Sequence, residues 1–214
     1  MLVWNSNERV QTRNSIFPRA CCLIGKAVAL MALFAFLVGS NLGFGGETSL
    51  TEYQVKSLFL LNFLKYVDWP PVSFGETNMP IIIGLYGEDK FGDALKKAVE
   101  GKTVSGRRII IQPIETDNDL GKCHILFISD SEKKHLGEIL AKIKTLPVLT
   151  VGETDQFLAM EGMINFTKKE NKIHLEINLV PAQRVNLKLS SKLLTVADTV
   201  LGKTEGNKTE GKKD

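Results

Sequence analysis

The segment EGKTVSGR, Glu100 to Arg107, sets Gly101, Lys102 and Thr103 in the order a phosphate-binding loop uses. That loop also needs a glycine five residues before the glycine that precedes its lysine, and Lys96 stands there. The triplet also follows a helical pattern where a phosphate loop follows a strand, so a helix stop and turn explain it. GLYGEDKFG carries Gly84, Gly87 and Gly92 at the wrong spacing for a dinucleotide fingerprint. For acyl transfer, no G-x-S-x-G occurs. SEKK, Ser131 to Lys134, matches S-x-x-K, but its companion motifs are missing and Ser131 falls where a helix starts.

The three histidines, His124, His135 and His174, are scattered. His124 adjoins Cys123, yet neighbouring strand residues point to opposite faces and cannot share a metal. No pattern marks a carboxylate pair for glycoside chemistry, although carboxylates from distant loops can meet in a fold. The sequons at Asn165 and Asn207 are of a kind common by chance. The motifs therefore imply no enzyme, no cofactor and no metal, and function has to be argued from surfaces.

The elements that would position any site begin after a leader. Arg9, Arg13, Arg19 and Lys26 face a single acid, Glu8, within residues 1–26, and the apolar run Ala27 to Val38 follows, then small residues. This describes a signal peptide over residues 1–40, cut between 40 and 46, because a dozen apolar residues are too few for a span of about 20. An uncleaved anchor is the alternative. Cys21 and Cys22 precede the apolar run and make no lipoprotein box, which leaves Cys123 alone in the mature chain as a buried inert thiol or an intermolecular link. The formal net charge of +3 also reduces to balance: 27 basic residues less four, and 24 acidic less one, leave 23 of each. A nucleic-acid partner would need a basic surface, and none is supplied.

SLTEYQVKSLFLLNFLKYVDWPP, Ser49 to Pro71, predicts a helix apolar almost all round, started by a Ser49/Glu52 capping box and stopped by Pro70 and Pro71. Met79–Gly87, Ser105–Ile114, Cys123–Ser129 and LPVLTVGE (146–153) read as strands, the continuous apolar runs being of the kind buried on both faces. Between them lie an amphipathic helix with Phe91, Leu95 and Val99 inward, and a helix 131–144 capped by Ser129 with Leu136, Ile139, Leu140 and Ile143 inward. Thr154 is expected to cap a short helix, DQFLA. GMINFTKKENKIHLEINLV alternates as a hairpin, expected at the sheet edge, and residues 181–202 read as a helical region anchored by Leu187, Leu193, Leu194, Ala197 and Val200. The fold class is α/β: a single-domain three-layer sandwich over residues 47–202, with a mostly parallel sheet and a C-terminal edge hairpin. Residues 203–214 read as a disordered polar tail.

Glu52–Pro70, followed by IIIGLYGEDKFGDAL, GKTVSGRRIII, CHILFIS, LPVLTVGE, FLAMEGMINF and KIHLEINLVPAQRVNLKLSSKLL in that order, resembles the YfiR-like family from Thr51 to Leu201. The resemblance implies an exported, periplasmic regulator of a Gram-negative bacterium. Such a protein is often dimeric, and it binds and represses the sensor domain of a membrane-bound diguanylate cyclase to lower cyclic di-GMP and biofilm formation; other members are linked to histidine kinases. The family pattern spans Phe59, Phe63, Tyr66 and Trp69, Gly84 and Gly87, Gly152-Glu153, Gly162, and Glu176 to Asn178, with Asn178 suited to bond local backbone. Two departures stand out. Cys123 lacks the partner of a family disulfide, and Glu161-Gly162 replaces a glycine pair.

The second apolar stripe of the opening helix, Leu60, Leu61, Leu64 and Val67, needs cover from the C-terminal region or from another molecule. With the exit at Trp69, it is expected to supply a dimer or partner interface. A ligand-binding module is the alternative function, with Gly87, Ser129 and Gly152 at the strand ends where α/β sheets take ligands.

Overall fold

The computed structural model describes residues 50–75 and 79–203. The expected leader with its cut, and the tail beyond Lys203, lie outside the described residues.

Helix α1 (Glu52–Tyr66) is capped by Thr51, whose hydroxyl accepts from the Gln54 amide while the Gln54 side chain accepts from the Thr51 amide. The capping box is thus Thr51/Gln54, not Ser49/Glu52. The extended Val67 ends the helix, and β1 (Val67–Asp68) follows before the two prolines. Next come β2 (Ile81–Tyr86), α2 (Asp93–Val99), β3 (Thr103–Val104), β4 (Arg107–Ile114), β5 (Ile125–Ile128), α3 (Leu136–Ile143) and β6 (Leu149–Gly152). The chain closes with β7 (Ile164–Lys169), β8 (Lys172–Asn178), α4 (Leu179–Arg184), β9 (Lys188–Leu189), α5 (Ser191–Thr195) and β10 (Thr199–Leu201).

Eight strands form one sheet in the order β10-β8-β7-β6-β5-β2-β4-β3, and β1 pairs with β9 apart from it. Neighbours from β4 to β7 are parallel, and within this sheet antiparallel pairing is confined to the β7–β8 and β3–β4 hairpins. Both hairpin turns hold two residues at positive φ, Ser105 and Gly106 in one and Glu170 and Asn171 in the other, the backbone that matches strand twist. Side chains alternate between two cores as the period of two requires. Ile83, Ile125, Phe127, Leu149, Val151, Ile164 and Leu175 meet α1 on one face, while Leu126, Ile128, Val148 and Phe157 meet α3 on the other. The three-layer α/β sandwich is therefore the observed architecture.

Several element boundaries differ from expectation. The chain after Ser129 forms a single 3-10 turn (Asp130–Glu132) without a side-chain cap, and the helix waits until Leu136. Residues 154–161 form turns rather than a helix, with the Thr154 hydroxyl buried and unbonded. The hairpin does not close the sheet: β10 adds in parallel outside β8. The C-terminal region is not one helix, because Asn186 at positive φ (58°) ends α4 and Ser190 starts a new cap.

Candidate functional site

α1 lies on the sheet with its start near the C-terminal strand ends and its exit near the N-terminal ends, and each end meets a distinct cluster. At the first, Glu153 follows β6 directly and is almost fully buried, its side chain 6% exposed. It accepts from Lys56 Nζ at 2.6 Å, from Tyr53 Oη at 3.1 and 3.2 Å, and from the Asp130 amide at 3.4 Å. Lys56, itself 3% exposed, also donates to Glu52 at 2.5 Å, and Lys168 of β7 reaches Glu52 at 2.9 Å. Lys90, from the loop after β2, pairs with Asp130 after β5 and stands 3.8 Å from Glu153.

These contacts fix the charge states. Burial pushes the Tyr53 phenol up, reinforced by the Glu153 charge. Burial also pulls the Glu52 carboxyl upward, but hydrogen bonds from Lys56 and Lys168 outweigh it and leave it below the usual range. The Lys90 hydrogen bond holds Asp130 low, and Asp130 in turn raises Lys90.

The cluster walls a cavity of about 690 Å³, shared with Phe166, Thr167 and Lys169. Its origin is topological. β6 and β7 pair only at Val151–Ile164 and Gly152–Asn165, so β7 runs on past the end of β6 and leaves a notch in the sheet. The notch adjoins β5 and β2, where the strand order reverses and α/β sheets bind ligands. Its size suits a small molecule. Each Glu153 oxygen already holds two donors, so the arrangement positions charge and offers no free base. Among the described residues, no group of three His, Cys, Asp or Glu could hold a metal.

Gly87, Ser129 and Gly152 do end adjacent strands, but none of them lines this cavity. Gly87 (φ 89°) brings the chain against Ser131, whose hydroxyl accepts from the Glu88 amide, and it opens on a separate groove of about 720 Å³. Ser129 is fully buried, and Gly152 is covered by the Phe157 ring. The residues that reach the cavity stand next in line, Asp130 and Glu153. Lys56 was the missed signal, a lysine on the apolar stripe of α1.

The interface stripe needs a larger correction. Leu60, Leu61, Leu64 and Val67 are 0%, 4%, 2% and 4% exposed. They pack in the core that also holds α2, Leu187 and Leu193, so the chain covers this stripe itself and leaves no apolar surface there for a partner. Trp69 is different. It is half-buried at the second cluster, on the loop from Trp69 to Gly75 that exposes Val72 at 81%.

Trp69 Nε1 donates to the His124 carbonyl at 3.2 Å. The His124 ring, almost fully buried, stacks on Phe74 at 5.0 Å and takes the Trp69 ring edge-on at 6.2 Å. Arg107 lies 4.8 Å over Phe74 and donates to the Met79 carbonyl at 2.8 Å. Nearby, burial, and secondarily Asp119, pushes the Cys123 thiol up to about 12, which leaves it a poor nucleophile.

Residues 53–198 match the profile of the YfiR/HmsC-like family. The chain belongs to that family. YfiR/HmsC-like proteins are periplasmic and regulatory, with a general role in cyclic di-GMP signalling. No curated protein matches the chain. Among solved structures, it is similar to a conserved domain protein from Vibrio cholerae O1 biovar El Tor (10% identity, TM-score 0.49). It is also similar to the ABC domain in complex with L-Trp from Streptococcus pneumoniae (10% identity, TM-score 0.47). Each match covers 71% of this chain and 61% of the other, so the chain spans about three fifths of the length of the solved structures it resembles. No helix among the described residues of this YfiR/HmsC-like protein is long and apolar enough to cross a membrane. Asn178, expected to bond local backbone, accepts from the Val180 amide at 3.1 Å and donates to the Leu158 carbonyl at 3.3 Å. Glu161 adopts the left-handed φ of 67° and is held by two hydrogen bonds from Arg184.

Proposed function

We propose that the protein, exported by its N-terminal signal peptide, binds and represses the sensor domain of a membrane signalling protein, most simply a diguanylate cyclase. The observation that carries this reading is the family match over residues 53–198. Binding one conformation of the sensor in preference to another holds the cytoplasmic enzyme off. The contact face is the loop from Trp69 to Gly75, where Val72 projects into solvent. The reading includes a homodimer, which sedimentation of the wild-type protein checks; the buried α1 stripe has no part in it.

Capture of the tagged protein from detergent-solubilised membranes tests the reading by mass spectrometry. Wild type should recover a membrane cyclase or histidine kinase, and Val72→Asp, at a site too exposed to disturb the fold, should not. Recovery of the protein alone overturns the partner, and equal recovery with Val72→Asp overturns the face.

A second reading, a small-molecule-binding sensor module without a cyclase partner, is favoured by one observation, the notch of about 690 Å³ beside the strand-order reversal. A thermal-shift screen of small molecules checks it, with Thr167→Trp expected to remove any stabilisation.

A further inference from the structure

His124 stands where the exit loop meets the sheet, and its hydrogen bonds depend on the ring being neutral. Its Nδ1 accepts from the Ile82 amide at 3.2 Å. An acceptor nitrogen carries no proton, so the ring is the neutral Nε2–H tautomer. Nε2 is buried without a hydrogen-bond partner; the Ser73 backbone lies close enough to favour the charged ring but completes no bond to it. The backbone of His124 is tied to the strands on both sides, its amide donating to Ile82 and its carbonyl accepting from Leu149, each at 2.9 Å. Only the ring can therefore yield.

Addition of a proton at Nδ1 would point two N–H groups at each other across the Ile82 bond. It would also set a cation in a buried site facing Arg107 of β4. The loop segment Trp69 to Gly75 carries no titratable side chain, β2 presents the Ile82 amide and β6 the Leu149 amide, so Arg107 is the charged group facing the ring. Burial first, and Arg107 second, disfavour the charged ring. The weakest attachment nearby is the loop itself. Within its 3-10 turn, Pro71–Ser73, the backbone bonds are local, and the rings of Trp69 and Phe74 both contact this imidazole, beside the Trp69 bond to the His124 carbonyl and the Arg107 contact on Phe74.

We propose that His124 is an acid-released clasp: neutral, it holds the Trp69–Gly75 loop on the sheet, and protonated, it frees the loop and withdraws the partner-binding face. The coupling to a partner rests on the function proposed above; the clasp does not.

Trp69 reports on the clasp directly. The chain has two tryptophans, and Trp4→Phe in the full-length protein leaves Trp69 alone. Its emission, followed from pH 7.5 to pH 4.5, should shift to the red with a midpoint below the ordinary imidazole range of about 6.5, reversibly and with far-ultraviolet dichroism unchanged. The Ile82 amide, followed by hydrogen exchange in wild type, should lose protection with the same midpoint. His124→Asn, whose carbonyl keeps the acceptor but does not titrate, should abolish the transition.

Constant emission while the fold persists overturns the clasp, as does the same midpoint in His124→Asn. If that variant does not fold, Ile82 exchange in wild type decides alone: protection that ignores pH overturns the clasp. Capture of the membrane partner at pH 7.5 and pH 5 separates the two readings. A transition in Trp69 with partner capture unchanged keeps the clasp and removes this loop as the partner face.

Discussion

The two ends of one sheet hold the same helix by opposite chemistry. At the C-terminal strand ends, α1 is fastened by charge: Lys56 and Tyr53 on a buried Glu153, with Glu52 tied outward to Lys168. At the N-terminal ends its exit is fastened by rings: Trp69 and Phe74 on a neutral His124. Removing one partner at the first end strands a buried ion, whereas at the second a proton does the loosening. The first end rests on buried ion pairs and the second on a ring that must stay neutral, which separates a fixed architecture from a responsive face in a protein whose family is regulatory.

The contrast is broken most severely by Lys56→Met. With Lys56 gone, buried Glu153 loses its shortest ion pair and keeps only the longer approach of Lys90 at 3.8 Å, and urea unfolding should show a loss of about 3–5 kcal/mol. Adding Glu153→Leu should restore most of it, since apolar replacement of a buried pair is often neutral. A double variant as unstable as the single one would mean that Glu153 matters for more than its charge.

Gly152→Ala probes the same end by packing. A β-carbon there meets the Phe157 ring at 2.2 Å. A cost of about 1–3 kcal/mol is expected from overpacking, and Phe157→Leu in the same chain should relieve part of it in thermal melts.

The conditional end sharpens the comparison through pH. The folded His124 is held below its ordinary value by burial and Arg107. Below about pH 6.5 the unfolded chain therefore binds a proton that the folded one refuses. Stability is full above that range and falls with pH until the folded value is passed, by less than about 1.4 kcal/mol per pH unit for one proton. His124→Asn should flatten the slope between pH 7 and pH 5.5, and an unchanged slope would mean that His124 does not carry it. The smallest effect belongs to Lys168→Ala. Its 51% exposed side chain pairs with Glu52 at the surface, so the loss should stay within about 1 kcal/mol and shrink further in high salt.

The layered α/β plan was readable because β-branched runs such as IIIGLY and the inward set Leu136, Ile139, Leu140 and Ile143 report burial through period alone. The burial of α1 was also readable as a need, since a helix apolar all round must be covered. What covers it was not: Leu187 and Leu193 lie more than 120 residues away and carry no mark of their partner. A separation of 97 residues likewise hid the cavity. Lys56 and Glu153 become a pair only when β6 ends beneath the first turns of α1. Gly87, Ser129 and Gly152 stand at the ends of adjacent strands, but the side chains that face the notch come from residues beyond them, such as Asp130 and Glu153, where the backbone leaves the sheet.

The antiparallel pairing of Val67–Asp68 with Lys188–Leu189 has a consequence for the order of assembly. The helix that leads this domain is the first part of it to be synthesised, yet its neighbours at Glu153 and Leu187 to Leu193 are among the last. β2 and α2 reach Leu60, Leu61, Phe63 and Leu64 early, but the cover from Leu187 and Leu193 comes only at the end, and closing so long a loop is slow. Until those C-terminal segments arrive, part of this apolar face stays uncovered, and that is the interval in which the chain is most prone to aggregate.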